Sequence, residues 1–208
     1  MKLYEFAPTR SIRARWALQE LEIPFESVPI KLLEGDGQTP EYLAINPTGK
    51  VPALVDGDFV LTESVAIAVY LAEKNPQKGL LPTDLKQRTQ LNRWMLFVVT
   101  ELEQPLWRIA RNSFLYPEEK RQPADIEIAK GEFRTMAAVL EKHMRGREFL
   151  VGDRVSVGDF ITAYTLDWGN EVGLLDECPT LLAYMKRMYD RPKAAMRIKD
   201  ALASVGAA

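Results

Sequence analysis

The hydrophobic period of this chain changes once, near residue 78, and does not change back. Before that point short apolar runs alternate as strands do and are separated by turns. From Asp84 onward every apolar pattern repeats at helical spacing and no strand run occurs. A chain of 208 residues is long enough for two modest domains. The stretch 75–82, with Pro76, Gly79 and Pro82, is a good linker. The reading is therefore an α/β domain over residues 1–76, a linker at 77–86, and an all-helical domain over 87–208.

Within the first region, residues 2–6 (KLYEF) alternate and predict a strand, and residues 12–21 carry Ala14, Ala17, Leu18 and Leu21 on one helical face. Residues 24–30 predict a second strand, parallel to the first by the handedness of a strand–helix–strand crossover. A loop over 35–42 runs into a short helix, and Asn46-Pro47-Thr48-Gly49 is a strong turn signal. Residues 51–55 and 58–61 flank Asp56-Gly57, which predicts a tight hairpin. Thr62-Glu63-Ser64 then opens an apolar helix over 65–73. The order is βαβαββα. Later helices are predicted over 87–114, 124–145, 156–168 and 179–191.

Composition narrows the function classes. A net charge of −2 gives no electrostatic reason for nucleic acid or an anionic membrane as partner. The single cysteine, Cys178, excludes an internal disulfide and fits a reducing compartment. The stretch MKLYEFAPTRSIRARWALQEL has no apolar leader-like core, and no run approaches the roughly 18 apolar residues of a membrane span. These features predict a cytoplasmic protein. One histidine, His143, and one cysteine exclude a zinc site built from those ligands, and no metal is expected.

Two features in the first region carry chemistry. A proline at the start of a strand, Pro52 after Val51, donates no ladder hydrogen bond. With a cis Val51-Pro52 bond, the peptide groups of Val51 can pair with an extended ligand. By itself the pair also fits an ordinary trans proline at a sheet edge. Glu63-Ser64 opens a helix, where free N–H groups and a partial positive charge favour a carboxylate, Ser64 adds a hydroxyl donor, and Glu63 offers an acceptor for an ammonium group. An α-amino acid presents both groups, so the pair forms an amino-acid clamp. An ordinary helix cap with an acidic neighbour has the same residues.

Together these features resemble the glutathione transferase superfamily. Its members carry a Pro-x-Gly-x-(Val/Ile)-Pro-x-Leu run followed by a Glu-Ser pair, matched here by Pro47, Gly49, Val51, Pro52, Leu54, Glu63 and Ser64. A second box, Ser156-Val157-Gly158-Asp159 after Val155, is a helix-capping signature that extends the resemblance into the helical region. The resemblance implies a thioredoxin-like first domain and an all-α second one. It implies that Val51, through a cis Val51-Pro52, holds the cysteinyl backbone of glutathione, that Glu63 and Ser64 hold its γ-glutamyl end, and that Gln38 and Lys50 face the glycyl carboxylate. It also implies an electrophile pocket where the domains meet, with Trp107, Arg108, Arg111, Phe114 and Tyr116 as candidates and Tyr164 and Trp168 as further ones. Homodimerisation follows from the same resemblance, with Tyr70 and Trp94 as candidate contacts.

A free thiol with a pKa near 8.5 is only about 3% thiolate at pH 7. Lowering that pKa by roughly 2 units needs about 2.7 kcal/mol, and one hydroxyl hydrogen bond to the anion supplies about 1.5–3 kcal/mol. A single hydroxyl in the turn after the first strand therefore suffices. Thr9 and Ser11 are the candidates: counting back from Arg13 favours Thr9, and counting from the helix start favours Ser11. Arg10 is the third, since some bacterial members use an arginine there. Arg13 and Arg15 are read as ion-paired or solvated. Tyr4 lies early for a catalytic tyrosine, and the absence of a cysteine in the loop argues against deglutathionylation and dehydroascorbate reduction. The expected activity is transfer of glutathione, as co-substrate, to small hydrophobic electrophiles in detoxification, or peroxide reduction with it. The alternatives are a non-catalytic module of the same fold in protein complexes, or a specialised glutathione-dependent lyase or isomerase.

Overall fold

The computed structural model describes residues 1–206. They form two compact units, Met1–Leu81 with the segment from Tyr189 onward, and Pro82–Met188.

In the first unit a four-stranded sheet has the order β2-β1-β3-β4, with β1 at Lys2–Glu5, β2 at Glu26–Pro29, β3 at Ala53–Asp56 and β4 at Phe59–Thr62. β1 runs parallel to β2 and antiparallel to β3, as the crossover and hairpin signals predict. Leu3 sits beside Leu54 in the register, and both are fully buried. The two turn residues of the hairpin are Gly57 and Asp58, because Asp56 still pairs with Phe59. The turn thus falls one residue beyond the Asp56-Gly57 dipeptide, and Gly57 supplies the positive φ of 67°.

Helix α1 (Ser11–Leu21) packs against α3 (Ser64–Lys74), with the short α2 (Pro40–Leu43) lying between them in the chain. Ala14, Ala17, Leu18 and Leu21 of α1 and Ile67, Ala68 and Leu71 of α3 are buried, each leucine or isoleucine stabilising by about 1.5–3 kcal/mol. The chain from Tyr189 joins this unit although its periodicity reads as part of the helical region. The reason is local: Tyr189 packs on Trp16 with ring centroids 4.8 Å apart, and Arg191 grips Glu20 with two hydrogen bonds of 2.7 and 2.8 Å. Glu22 pairs with Lys193 at 2.7 Å and Lys78 at 2.6 Å, and these ammonium groups hold its carboxyl down at about 2.

The second unit is helical. The rod expected at 87–114 is α4 (Leu85–Phe97), a π-helical turn at Val98–Leu102, α5 (Glu103–Ala110) and a second π turn at Arg111–Leu115. Pro105 donates no N–H to the turn below it, and the first π turn takes up the mismatch just upstream. α6 (Pro123–Met144) buries Ala129, Phe133, Ala137, Leu140 and Met144, one helical stripe. α7 (Val157–Glu171) is buried almost all round, and α8 (Pro179–Tyr189) closes the unit. The last helix, α9 (Ile198–Gly206), belongs to the first unit.

The Ser156–Asp159 box caps α7. The Asp159 carboxyl takes the Ser156 N–H at 2.8 Å, the Ser156 hydroxyl at 2.7 Å, the Leu150 N–H at 2.7 Å and the Tyr184 hydroxyl at 2.6 Å. Trp94 is covered within this unit, with His143 stacked at 4.0 Å on its ring and the Arg93 guanidinium 4.2 Å from it. It offers little to a subunit contact.

His143 also hydrogen-bonds the Leu150 carbonyl through Nε2 at 2.8 Å, and burial pushes its pKa below the ordinary 6.5. An unfolded chain thus takes up the proton before the native state does, so stability falls as pH drops through 6.5 toward the folded value. The protein has a single histidine, so one pair of imidazole proton resonances reports it. That pair is expected to titrate below 6.5 in the folded protein and near 6.5 in urea; equal values in both states would remove the burial account.

Candidate functional site

The turn from β1 into α1 is built by its own hydroxyls. The Thr9 N–H bonds the Phe6 carbonyl at 3.0 Å, and the Thr9 hydroxyl donates to that same oxygen. Ser11 Oγ accepts the Phe6 N–H at 3.3 Å and lies 2.9 Å from Thr9 Oγ1, which also accepts the Ser11 N–H at 3.3 Å. With the Thr9 proton committed to Phe6, the Ser11 hydroxyl is the donor between the two side chains. Ser11 is only 1% exposed, whereas Thr9 and Arg10 are half-buried at the surface of the turn. Arg10 occupies the position before α1 without capping it by its side chain.

At the start of α3, Ser64 is buried and Glu63 is exposed. Glu63 has φ 67° and ψ 111°, a region that L side chains rarely occupy. A non-glycine residue held there costs on the order of 1–3 kcal/mol and marks functional positions more often than structural ones. Arg13 in the first turns of α1 is fully buried, and its Nη1 donates to Ser64 Oγ at 3.4 Å. Of the two readings its sequence allows, ion-paired or solvated, burial removes the solvated one. A guanidinium only donates, so it meets the Ser64 oxygen and leaves the Ser64 proton for a ligand. Arg15 turns the other way, onto Glu5 at 2.8 Å and Ser27 at 2.9 Å. The hydroxyl turn and the Glu63-Ser64 pair, more than fifty residues apart in sequence, are thus neighbours across the α1–α3 contact.

The Val51-Pro52 peptide bond is cis. The β3 ladders begin at Ala53, paired with Tyr4 on one side and Thr62 on the other, so Val51 lies outside both. Gly49, with φ 65°, lets the Asn46–Gly49 turn close against the loop at 36–38: a Cβ there would lie 2.6 Å from the Gly37 carbonyl and collide with the Gln38 amide. Gln38 is thereby held beside the residue that precedes Lys50, and both side chains are exposed.

The helical candidates divide. Trp107 meets Trp168 edge to face at 6.3 Å. Arg111, one turn on and on the same face, donates to the Tyr116 hydroxyl at 3.3 Å, beside an exposed Phe114 (67%). Arg108 faces α6 instead, where it is ion-paired with Asp125 and Glu132, and Asn112 joins Asp125 at 2.9 Å. Among the described residues no group of three or more His, Cys, Asp or Glu is placed to hold a metal ion, and no helix is long and apolar enough to cross a membrane.

Two residues outside the sequence motif belong to this geometry, Tyr42 and Asn46. Both donate to the Lys50 carbonyl at 2.6 Å. The only sequence signal for either was the turn propensity of Asn46.

Comparison with known proteins bears on the same regions. The family model for the glutathione S-transferase N-terminal domain matches residues 1–73, and that for the glutathione S-transferase C-terminal domain matches residues 104–192. A zeta-class glutathione S-transferase of Euphorbia esula is 39% identical over 166 residues, 76% of this chain and 71% of the relative. Glutathione S-transferase GST-4.5 of Xanthomonas campestris is 30% identical over 190 residues, 90% of this chain and 92% of the relative. The crystal structure of a glutathione transferase homologue from Sulfitobacter with bound glutathione superposes with a TM-score of 0.81 at 25% identity, covering 99% of this chain and 97% of that one. With both family models matched, and with relatives aligned over most of their length, the chain belongs to the glutathione S-transferase family.

Proposed function

We propose that this protein binds glutathione on its first unit, activates the thiol as thiolate and transfers it to small hydrophobic electrophiles. The observation that carries this reading is the Arg13–Ser64 contact, which sets the hydroxyl turn beside the amino-acid clamp. A γ-glutamyl carboxylate fits the Ser64 hydroxyl and the N–H groups at the start of α3, and its ammonium fits Glu63. The cysteinyl backbone pairs with Val51, which no strand claims, and the glycyl carboxylate reaches Gln38 and Lys50. The thiol then falls to the Thr9–Ser11 turn, where Thr9 is the hydroxyl a ligand can touch: its proton turns from the Phe6 carbonyl, which keeps the Thr9 N–H at 3.0 Å, to the thiolate. Ser11 donates into Thr9 from behind, and Arg10 is the third group within the turn. The electrophile is received by Trp107, Arg111, Phe114 and Tyr116, while Arg108 holds α5 to α6.

In this reading the protein is a cytoplasmic detoxification enzyme working as a homodimer. The exposed Phe59 and Val60 of β4, next to Tyr70 at 5.2 Å from Phe59, supply an apolar contact surface. The test is an ultraviolet titration of the protein with glutathione between about pH 5.5 and 9, a range that brackets the free thiol's pKa. Saturable appearance of the thiolate band well below pH 8 supports the enzyme. Saturable binding with the thiol still titrating near 8.5 points to a non-catalytic module, and no binding at millimolar glutathione ends the reading.

Glu63 offers a separate check, because its two costs and benefits come apart in different variants. Glu63→Ala is expected to weaken glutathione binding about tenfold, the loss of one charge-assisted hydrogen bond, with no gain in stability. Glu63→Gly is expected to weaken binding equally but to raise stability by about 1 kcal/mol, since glycine accepts a positive φ. Calorimetric binding and urea melts of the pair measure this. A glycine variant less stable than the parent contradicts the strain argument.

A further inference from the structure

Resting on the glutathione reading above, we propose that Tyr42 and Asn46 are positioning residues that aim the Val51 N–H at the cysteinyl carbonyl of glutathione. The peptide joining Lys50 to Val51 is planar, and the only cis bonds among the described residues are Ala7-Pro8 and Val51-Pro52. In a trans peptide the carbonyl and the next N–H point in opposite directions. Whatever fixes the Lys50 oxygen therefore fixes the direction of the Val51 N–H.

Two donors fix that oxygen from the protein side. The Tyr42 hydroxyl and Asn46 Nδ2 each reach it at 2.6 Å, at the short end of hydrogen-bond geometry. Both donors are themselves held. Tyr42 is 3% exposed and its ring lies 5.9 Å from that of Tyr4 in β1. Asn46 is 3% exposed, and its Oδ1 accepts the Thr48 N–H at 3.1 Å and the Thr48 hydroxyl at 2.8 Å. That pair of contacts settles which end of the Asn46 amide is the donor. Burial pushes the Tyr42 hydroxyl up to about 12, so it remains a donor across the working pH range. The peptide ahead of Val51 is thus clamped from inside the unit, and its N–H faces away from both donors, at a residue outside the β3 ladders. A backbone donor with a fixed direction loses little entropy when a ligand carbonyl arrives, which is where preorganisation increases affinity.

The test compares Tyr42→Phe and Asn46→Ala with the parent protein, using glutathione as the probe. Each substitution removes one donor and is expected to raise the glutathione Kd and KM about fivefold, with turnover at saturating glutathione and the pKa of the bound thiol unchanged. The Val51 amide resonance in a nitrogen–proton spectrum provides the direct signature. It is expected to shift on adding glutathione to the parent, and to shift much less in either variant, while the Ser64 amide responds alike in all three. Tyr42→Phe keeps the ring and its packing, so it answers the question even if Asn46→Ala fails to fold. Parent protein that does not bind glutathione removes the functional reading and this inference together. Parent binding with variants of equal affinity, or with weaker affinity but an unaltered Val51 shift, overturns this inference alone.

Discussion

Replacing Asp159 by alanine is expected to lower folding stability by about 4 kcal/mol and the melting temperature by roughly 10 °C. The carboxyl is fully buried and collects four donors from three parts of the helical unit: the Ser156 N–H and hydroxyl, the Leu150 N–H and the Tyr184 hydroxyl. Alanine removes one acceptor group but strands all four donors, and a buried donor left unpaired costs about 1–3 kcal/mol. These penalties are not additive, because the loop at Leu150 and the hydroxyls can relax in part. Two comparisons separate cap from bulk. Asp159→Asn keeps the volume and one acceptor oxygen and is expected to cost about half as much. Tyr184→Phe removes a single donor and is expected to cost about 1 kcal/mol, and combined with Asp159→Ala it should add little, since its partner is already gone. Urea and thermal melts of the four variants beside the parent measure this. A loss below 1 kcal/mol for alanine would show that the box is dispensable and that α7 is held by its apolar packing alone.

Thr9→Ala is expected to lower turnover about a hundredfold at pH 6.5 and to return the bound thiol toward its free pKa near 8.5. A hydroxyl bonded to the thiolate contributes about 1.5–3 kcal/mol to its stabilisation, while the start of α1 contributes up to about 1 kcal/mol more and remains in the variant. Ser11→Ala makes a different prediction. Ser11 is sealed inside the turn and accepts the Phe6 N–H, so its loss is expected to destabilise the fold by about 1–2 kcal/mol and to change turnover by less than tenfold. The discriminating measurement is the pH dependence of the thiolate absorbance in both variants, beside Arg10→Ala. A thiol pKa that moves in Ser11→Ala and not in Thr9→Ala would reverse the assignment, and one that moves only in Arg10→Ala would give the role to the guanidinium.

The fold was legible where the hydrophobic period was strong. All four strands, the parallel β1–β2 pair and the long helices follow from alternation and from the spacing of residues such as Ala129, Phe133, Ala137 and Leu140. Less was legible where a single residue perturbs a regular element. The rod at 87–114 reads as one helix because its apolar spacing is nearly continuous, yet two π turns interrupt it, the first just upstream of Pro105. The site was legible as a motif but not as a set of roles. Periodicity places Thr9, Arg10 and Ser11 in a turn, and only tertiary packing decides which of them is sealed. The burial of Arg13 against Ser64, the turning of Arg108 onto Asp125, and the grip of Tyr42 and Asn46 on one carbonyl oxygen all join residues from different elements. Side-chain direction across a helix contact has no counterpart in linear spacing.

The attachment of Tyr189, Arg191 and Lys193 to α1 also bears on how the chain is made. A ribosome releases the first strands and helices early, but the segment that completes their unit emerges only after residues 82–188. At about 5–20 residues per second that delay is on the order of ten seconds. During this interval the Trp16 face and the Glu20 carboxylate lack these partners and Glu22 has only Lys78, so the nascent first unit is open to chaperones and proteases until residues 189–193 emerge. A stop codon just before Tyr189 would spare every residue proposed to touch glutathione and still leave that unit unsealed.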